Sequence, residues 1–347
     1  MNTLAKSTLM AAALTLAAFS GAPAANVDGP DVFWKWSVWG NPRAFTAGAE
    51  KLAARVAEET DGKFKIQMFY GGQLAKSKEH LDGIKNNAFE GGFFCNFYHP
   101  GKNPAFMVFT QPFVPLGDWE VSAYVRNNLY QHPAMVADMD QWNAFTYVST
   151  LLPQYEFLGR GKPPLTLADW KGMRVRAGGG VGQAMEILGA TRQTVPAPEI
   201  YTLMQRGGVD AVSLPYTYAH VSYKINELAE WYTNNLQPGT SECPMIISKT
   251  AYGNLPKQYQ DLIMSLKDEV TAELVAKYKE ADEKNLPMFK ASMTEILYSD
   301  ETLAEFRKVA GEPVWNKWVA DNKDKFDAQS VLDTMWALIE EAKAKGL

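Results

Sequence analysis

In 347 residues the sequence has only two cysteines and four histidines. Cys95 and Cys243 form no CxxC pair, so neither a disulfide-stapled scaffold nor a structural zinc site is expected. His80, His99, His132 and His220 stand singly, without the i,i+2 or i,i+4 spacing that brings two imidazoles to one metal. A surplus of positive charge is also missing: the formal net charge is −5 and the pI about 5.6, which argues against a nucleic-acid footprint. Beyond residue 25 no apolar run reaches the ~18 residues that span a bilayer. There is no G-x-S-x-G, H-E-x-x-H, S-x-x-K or G-x-x-x-x-G-K-[ST], so the familiar nucleophile, zinc-protease and phosphate-loop chemistries have no candidate residues. Internal repeats and low-complexity tracts are absent too. What remains is an ordinary globular composition, 46% hydrophobic, 12% aromatic and 21% charged, and at ~150 residues per domain the length suggests two domains.

The first 25 residues read as a targeting segment. Lys6 supplies a positive n-region, Leu9 to Phe19 an apolar h-region, and Ala22-Pro23-Ala24 a small-x-small cleavage pattern. No cysteine follows the cleavage site, so a lipid anchor is not indicated. Export places the mature chain in the periplasm if the source is Gram-negative, or at the cell exterior otherwise. The two cysteines could pair there, but their separation in sequence says nothing about distance, and Cys95, in an apolar strand with no nearby base, reads as buried and inert.

The mature chain opens with a buried strand at Val32 to Trp39, broken by Asn41-Pro42, and a helix over 43–60 with Phe45, Ala49, Leu52 and Val56 at helical spacing. Lys63 to Tyr70 alternates as a strand, Ser77 is placed to cap a short helix bearing Leu81 and Ile84, and Phe89 to Asn96 reads as the next strand. A β-α-β-α-β opening predicts a parallel sheet covered by helices. After a helix near 119–130 and a strand near 145–152, a second α/β unit contains strands Met173 to Ala177 and Val209 to Leu214, with helices at about 181–188 and 198–206. Met245 to Ser248 then precedes one long helical pattern from Pro256 to about Lys284, and Val331 to Ala344 is an amphipathic C-terminal helix.

Three features bear on chemistry. The run Gly178-Gly179-Gly180-Val181-Gly182 follows a strand and opens a helix but fails G-x-G-x-x-G, because Gln183 stands where the third glycine belongs. It is either an N-terminal amide cradle for a carboxylate or a plain strand-to-helix turn. Arg174 and Arg176 precede it, and a guanidinium there could grip a carboxylate with two parallel hydrogen bonds. Trp34, Trp36, Trp39, Phe93, Phe94, Phe97 and Tyr98 cluster at strand ends, where open α/β sheets bind ligands; beside glycine and proline, Trp39 and Tyr98 are the better candidates, the rest reading as core.

Several stretches in order then resemble the solute-binding receptors of tripartite ATP-independent periplasmic (TRAP) transporters. They are Phe69-Tyr70-Gly71-Gly72-Gln73-Leu74, then Leu167-Ala168-Asp169-Trp170-Lys171-Gly172-Met173-Arg174-Val175-Arg176, then Leu188-Gly189-Ala190, and finally Glu199-Ile200-Tyr201 with Gln205-Arg206-Gly207-Gly208-Val209-Asp210. The resemblance covers nearly the whole mature chain. It implies an α/β, two-lobed Venus-flytrap fold with mixed, mostly parallel sheets and a long helix running along both lobes. Lobe I would comprise 26–150 plus about 238–281, and lobe II 151–237 plus about 282–347. It further implies a receptor, not an enzyme, that closes on a small organic acid without cofactor or metal and delivers it to the small and large subunits of a membrane permease.

The family's carboxylate anchor, which closes the K-G-x-[KR]-[IV]-R run, falls on Arg176, with Arg174 as its basic neighbour. Asn96 and Arg160 are candidate polar contacts, and Gly178 a backbone one. The chain departs from V-D-G-x-[EQ]-[NW]: Ser213 and Leu214 stand at the last two positions, followed by Pro215-Tyr216. Ser213 and Leu214 argue against a polar or metal-bridged site, and Leu214 and Tyr216, with the aromatic strand ends, point to a hydrophobic or aromatic monocarboxylate rather than a sugar acid or dicarboxylate. Two alternatives stay open: the receptor of an ATP-driven uptake system, and a secreted enzyme on the same fold, which lacks an evident acid/base pair or nucleophile.

Overall fold

The computed structural model describes residues 27–347; the targeting segment expected at 1–25 lies outside the described residues. Eleven strands follow in chain order: β1 (Val32–Ser37), β2 (Phe64–Phe69), β3 (Gly91–Phe93), β4 (Ala144–Val148), β5 (Tyr155–Gly159), β6 (Arg174–Arg176), β7 (Thr191–Gln193), β8 (Ala211–Pro215), β9 (Trp231–Thr233), β10 (Met245–Ser248) and β11 (Thr294–Ile296). They form two mixed sheets, ordered β2-β1-β3-β10-β4 and β11-β9-β5-β8-β6-β7.

The opening motif is the parallel unit its pattern predicts, with β1 paired in parallel to both β2 and β3. The helix Ala47–Glu59 buries Leu52 and Val56 fully and covers that sheet. Ser77 caps nothing: the short helix His80–Lys85 starts from Glu79. Strands β5, β7, β9 and β11 had no expectation of their own, being too short or too thoroughly buried to alternate visibly. Residue 245 begins a return into the first sheet, where β10 lies antiparallel between β3 and β4.

The chain therefore crosses between the sheets twice before that return, at about 149–154 and 236–243. The crossings are joined: Tyr155 N donates to Gly239 O at 2.8 Å, and Thr240 Oγ1 donates to Leu152 O at 3.0 Å. The long helical pattern is split at Leu266 into Lys257–Ser265 and Lys267–Ser292. All six apolar positions expected in it, Tyr259, Leu262, Ile263, Leu266, Val270 and Leu274, are buried. The longer helix packs on Ala47–Glu59 beside the first sheet and on the short helix Tyr218–Ser222 and β11 beside the second, so it runs along both lobes.

The C-terminal helix corrects the expected lobe composition. Ala328–Ala344 buries Val331, Met335 and Ile339 in one cluster with Val125 and Leu129 of the helix Trp119–Leu129, which belongs to the first lobe. An amphipathic stripe states that a helix must bury one face, but not which neighbour covers it. Among the described residues no helix is long and apolar enough to cross a membrane.

Candidate functional site

The carboxyl ends of β1, β3, β6 and β8 face one another across the two sheets. The turns beyond them enclose a cavity lined by Trp39, Arg43, Phe45, Cys95, Phe97, Tyr98, Leu152, Tyr155, Arg176, Ala197, Leu214, Pro215, Tyr218, Ala219, Tyr223 and Cys243. Seven of these side chains are aromatic, two are arginines and none is acidic. The enclosed space is small: the centres of water-sized spheres range over about 30 Å³ of it. Trp39, Arg43 and Tyr223 also line a chamber of about 590 Å³ outside, so these three partition an inner cavity from an outer one.

Arg176 closes β6 and is 1% exposed. Its Nε and Nη2 donate to Val195 O at 3.2 and 2.9 Å, and its Nη1 to Ser213 O at 2.8 Å. Of the five N–H bonds of a guanidinium, one on each Nη remains unused. Its carbon lies 5.5 Å from the Phe97 ring centroid, a favourable cation–π placement. No carboxylate of the described residues forms an ion pair with it. An unpaired buried charge costs several kcal/mol, and carbonyl dipoles offset only part of that. The arrangement is a fixed cation with two free donors beside an apolar, acid-free space, which suits a small anion.

Trp39 and Leu214 line the same cavity, Trp39 packing against Phe45, His80, Phe93 and Tyr98. Tyr98 does too, and its hydroxyl accepts from Ala197 N at 2.8 Å, a contact between the lobes that leaves its own proton available. Burial pushes that phenol up to about 12, partly opposed by the Arg176 charge, so it stays a donor at neutral pH.

The other candidates lie elsewhere. Arg174 is exposed and spent on Asp210, its Nε donating to Oδ2 at 3.0 Å and its Nη2 pairing with Oδ1. It shares a strand face with Arg176 but sits at the opposite end of β6, beyond the cavity. Asn96 is fully buried and turned to its own loop, donating to Phe106 O at 2.7 Å and accepting from Phe97 N. It shapes the turn that carries Phe97 and Tyr98. Tyr216 points away, its hydroxyl donating to Asn234 Oδ1 at 2.6 Å. Arg160 is outside the cavity as well.

Gly178 packs against the first lobe. A Cβ there would fall 2.4 Å from the Phe97 ring, and one at Gly180 would fall 2.5 Å from Thr110 O. Gly180 N instead donates to Thr110 Oγ1 at 3.1 Å. The glycine run is where the second lobe's helix Gly179–Ile187 is pressed against the first lobe.

Two features of the site went unread in the sequence. Arg43 follows the first strand at Asn41-Pro42-Arg43, and the strand-end position that singles out Trp39 applies to it equally. The reading of Cys95 as an inert thiol is overturned: Cys95 and Cys243 are disulfide-bonded, both buried, and both in the cavity wall. They meet because β10 returns beside β3 after a separation of 148 residues, which no local pattern announces.

A family model described as bacterial extracellular solute-binding protein, family 7 (DctP), matches residues 37–322. A monocarboxylate 2-oxoacid-binding periplasmic protein of Nostoc sp. is 27% identical over 317 residues, covering 86% of each chain. Among solved structures, a TRAP solute-binding protein from Rhodoferax ferrireducens, in complex with copurified benzoate, superposes with a TM-score of 0.80. It is 21% identical over 91% of this chain and 100% of that one. A marine metagenome TRAP solute-binding protein specific for aromatic acid ligands, in complex with metahydroxyphenylacetate, has a TM-score of 0.78 at 21% identity, over 90% and 99% of the two chains.

Proposed function

Because the chain belongs to the family-7 bacterial extracellular solute-binding proteins, the DctP-type receptors of TRAP transporters, we propose that it captures a small organic acid between its lobes and hands it to a membrane permease. The observation that carries this reading is Arg176, a buried guanidinium with no acid beside it. A ligand carboxylate would supply the missing charge and accept the two free N–H bonds side by side. Tyr98 would donate a further bond from its hydroxyl.

The seven aromatic side chains of the cavity favour a hydrophobic or aromatic monocarboxylate, in keeping with the ligands named for the benzoate and metahydroxyphenylacetate complexes. We infer that binding leaves the ligand chemically unchanged, as the solute-binding role of its family implies. The compartment is the periplasm, reached through the targeting segment at 1–25.

A thermal-shift panel at about 1 mM tests the class: a micromolar ligand stabilises by about 4 kcal/mol at that concentration, a rise of several degrees. Calorimetric titration of the responding acid then tests the anchor. Arg176→Ala should fold yet lose at least tens-fold in affinity, and Arg176→Lys should also lose, since an ammonium cannot make the fork. Equal affinity in wild type and both variants would remove Arg176 from the site.

A further inference from the structure

The cavity has a second cation, at its mouth. Arg43 Nη1 donates to Trp39 O at 3.0 Å and Asn41 O at 2.8 Å, which accounts for both protons on that nitrogen. Its guanidinium carbon lies 4.7 Å from the Phe45 ring centroid and 5.6 Å from that of Tyr223. Arg43 is thus held by backbone carbonyls and by a ring from each lobe. Its Nε and Nη2 make no hydrogen bond, and it has no ion pair, among the described residues.

Beside it the Tyr223 hydroxyl is buried without a partner. The turn at Gly40, with φ +71, is what brings the two groups together: a Cβ on Gly40 would lie 3.1 Å from Arg43 Nη1 and 3.1 Å from Tyr223 Oη. Three N–H bonds of Arg43 and the Tyr223 phenol are therefore without partners at the partition between the inner cavity and the outer chamber. Glu199, the acid of that chamber, forms no ion pair with Arg43.

The geometry points to Arg43 and Tyr223 as a second ligand-recognition point, so that the site prefers a carboxylate bearing a further acceptor oxygen at its far end. This rests on the carboxylate-receptor reading. With the carboxylate on Arg176, a hydroxyl or carbonyl on the opposite end would reach the mouth and meet donors already held in place, at little cost in ordering. An acid ending in bare hydrocarbon would leave a cation and a phenol unpaired as the lobes close over them.

Two matched pairs test this by calorimetric titration: benzoate against 4-hydroxybenzoate, and hexanoate against 6-hydroxyhexanoate. Each pair keeps the carboxylate end and changes the far one. In the pair the cavity accepts, wild type should bind the far-oxygen member at least ten-fold tighter. Arg43→Met should erase that preference, and Tyr223→Phe should erase part of it. A loss shared equally by both members, or no loss, would overturn the assignment and reduce Arg43 to a loop brace, with carboxylate capture intact. Failure of wild type to bind any of the four acids, in a fold verified by its melting transition, would overturn both readings together.

Discussion

Arg126 and Arg176 are both withdrawn from solvent, at 0% and 1% exposure, but their surroundings differ in kind. Arg126, on the helix Trp119–Leu129, forms an ion pair with Glu242. That carboxylate is further held by Tyr130 Oη at 2.6 Å and Ser149 Oγ at 2.9 Å, while Arg126 also donates to Ser122 Oγ and Ser241 O. The ion pair is built into one lobe where the second crossing rejoins the first sheet, and of the guanidinium nitrogens only Nη2 is left without a partner. Arg176 has carbonyls only and faces a cavity. The same side chain at the same depth is structural in one place and available in the other, and the presence of an acid decides which.

The contrast is sharpest in stability. Arg126→Met strands a buried Glu242 and should cost about 3–5 kcal/mol, read as a lowered denaturant midpoint with unchanged slope. Adding Glu242→Leu should recover most of that loss, because replacing both partners removes the stranded charge. A smaller effect of opposite sign is expected for Arg176→Met without ligand. Deleting an unpaired buried cation should leave stability unchanged or raise it by about 1 kcal/mol, so a loss beyond about 2 kcal/mol would make Arg176 structural as well. Smallest is Arg174→Ala: an exposed pair contributes about 0.2–1 kcal/mol, and affinity for the acid should stay within about two-fold of wild type.

Much of this is legible in the residue order, and the failures have a common cause. Burial of the long helical pattern and the parallel opening follow from local periodicity, which a sequence displays directly. Arg174 and Arg176, by contrast, lie two residues apart and look alike. What separates them is Asp210 at one end of the strand and a cavity at the other, both set by pairing across strands. Asn96 is a reasonable ligand contact because a buried amide needs partners, but it finds them in its own turn, as short polar side chains do. Tyr216 has left the cavity because β8 ends at Pro215 and the chain turns toward Asn234. The disulfide and the docking of the last helix are long-range events of the same sort.

The glycine run at 178–180 has a mechanical consequence. Two lobes on crossing segments can approach only until something solid lies between them, and here that interface is bare backbone on one side and Phe97 with Thr110 on the other. A single methyl at Gly178 or Gly180 would act as a wedge in a hinge, stopping the jaws by the thickness of an atom. The depth of the bite is thus written in what those positions leave out.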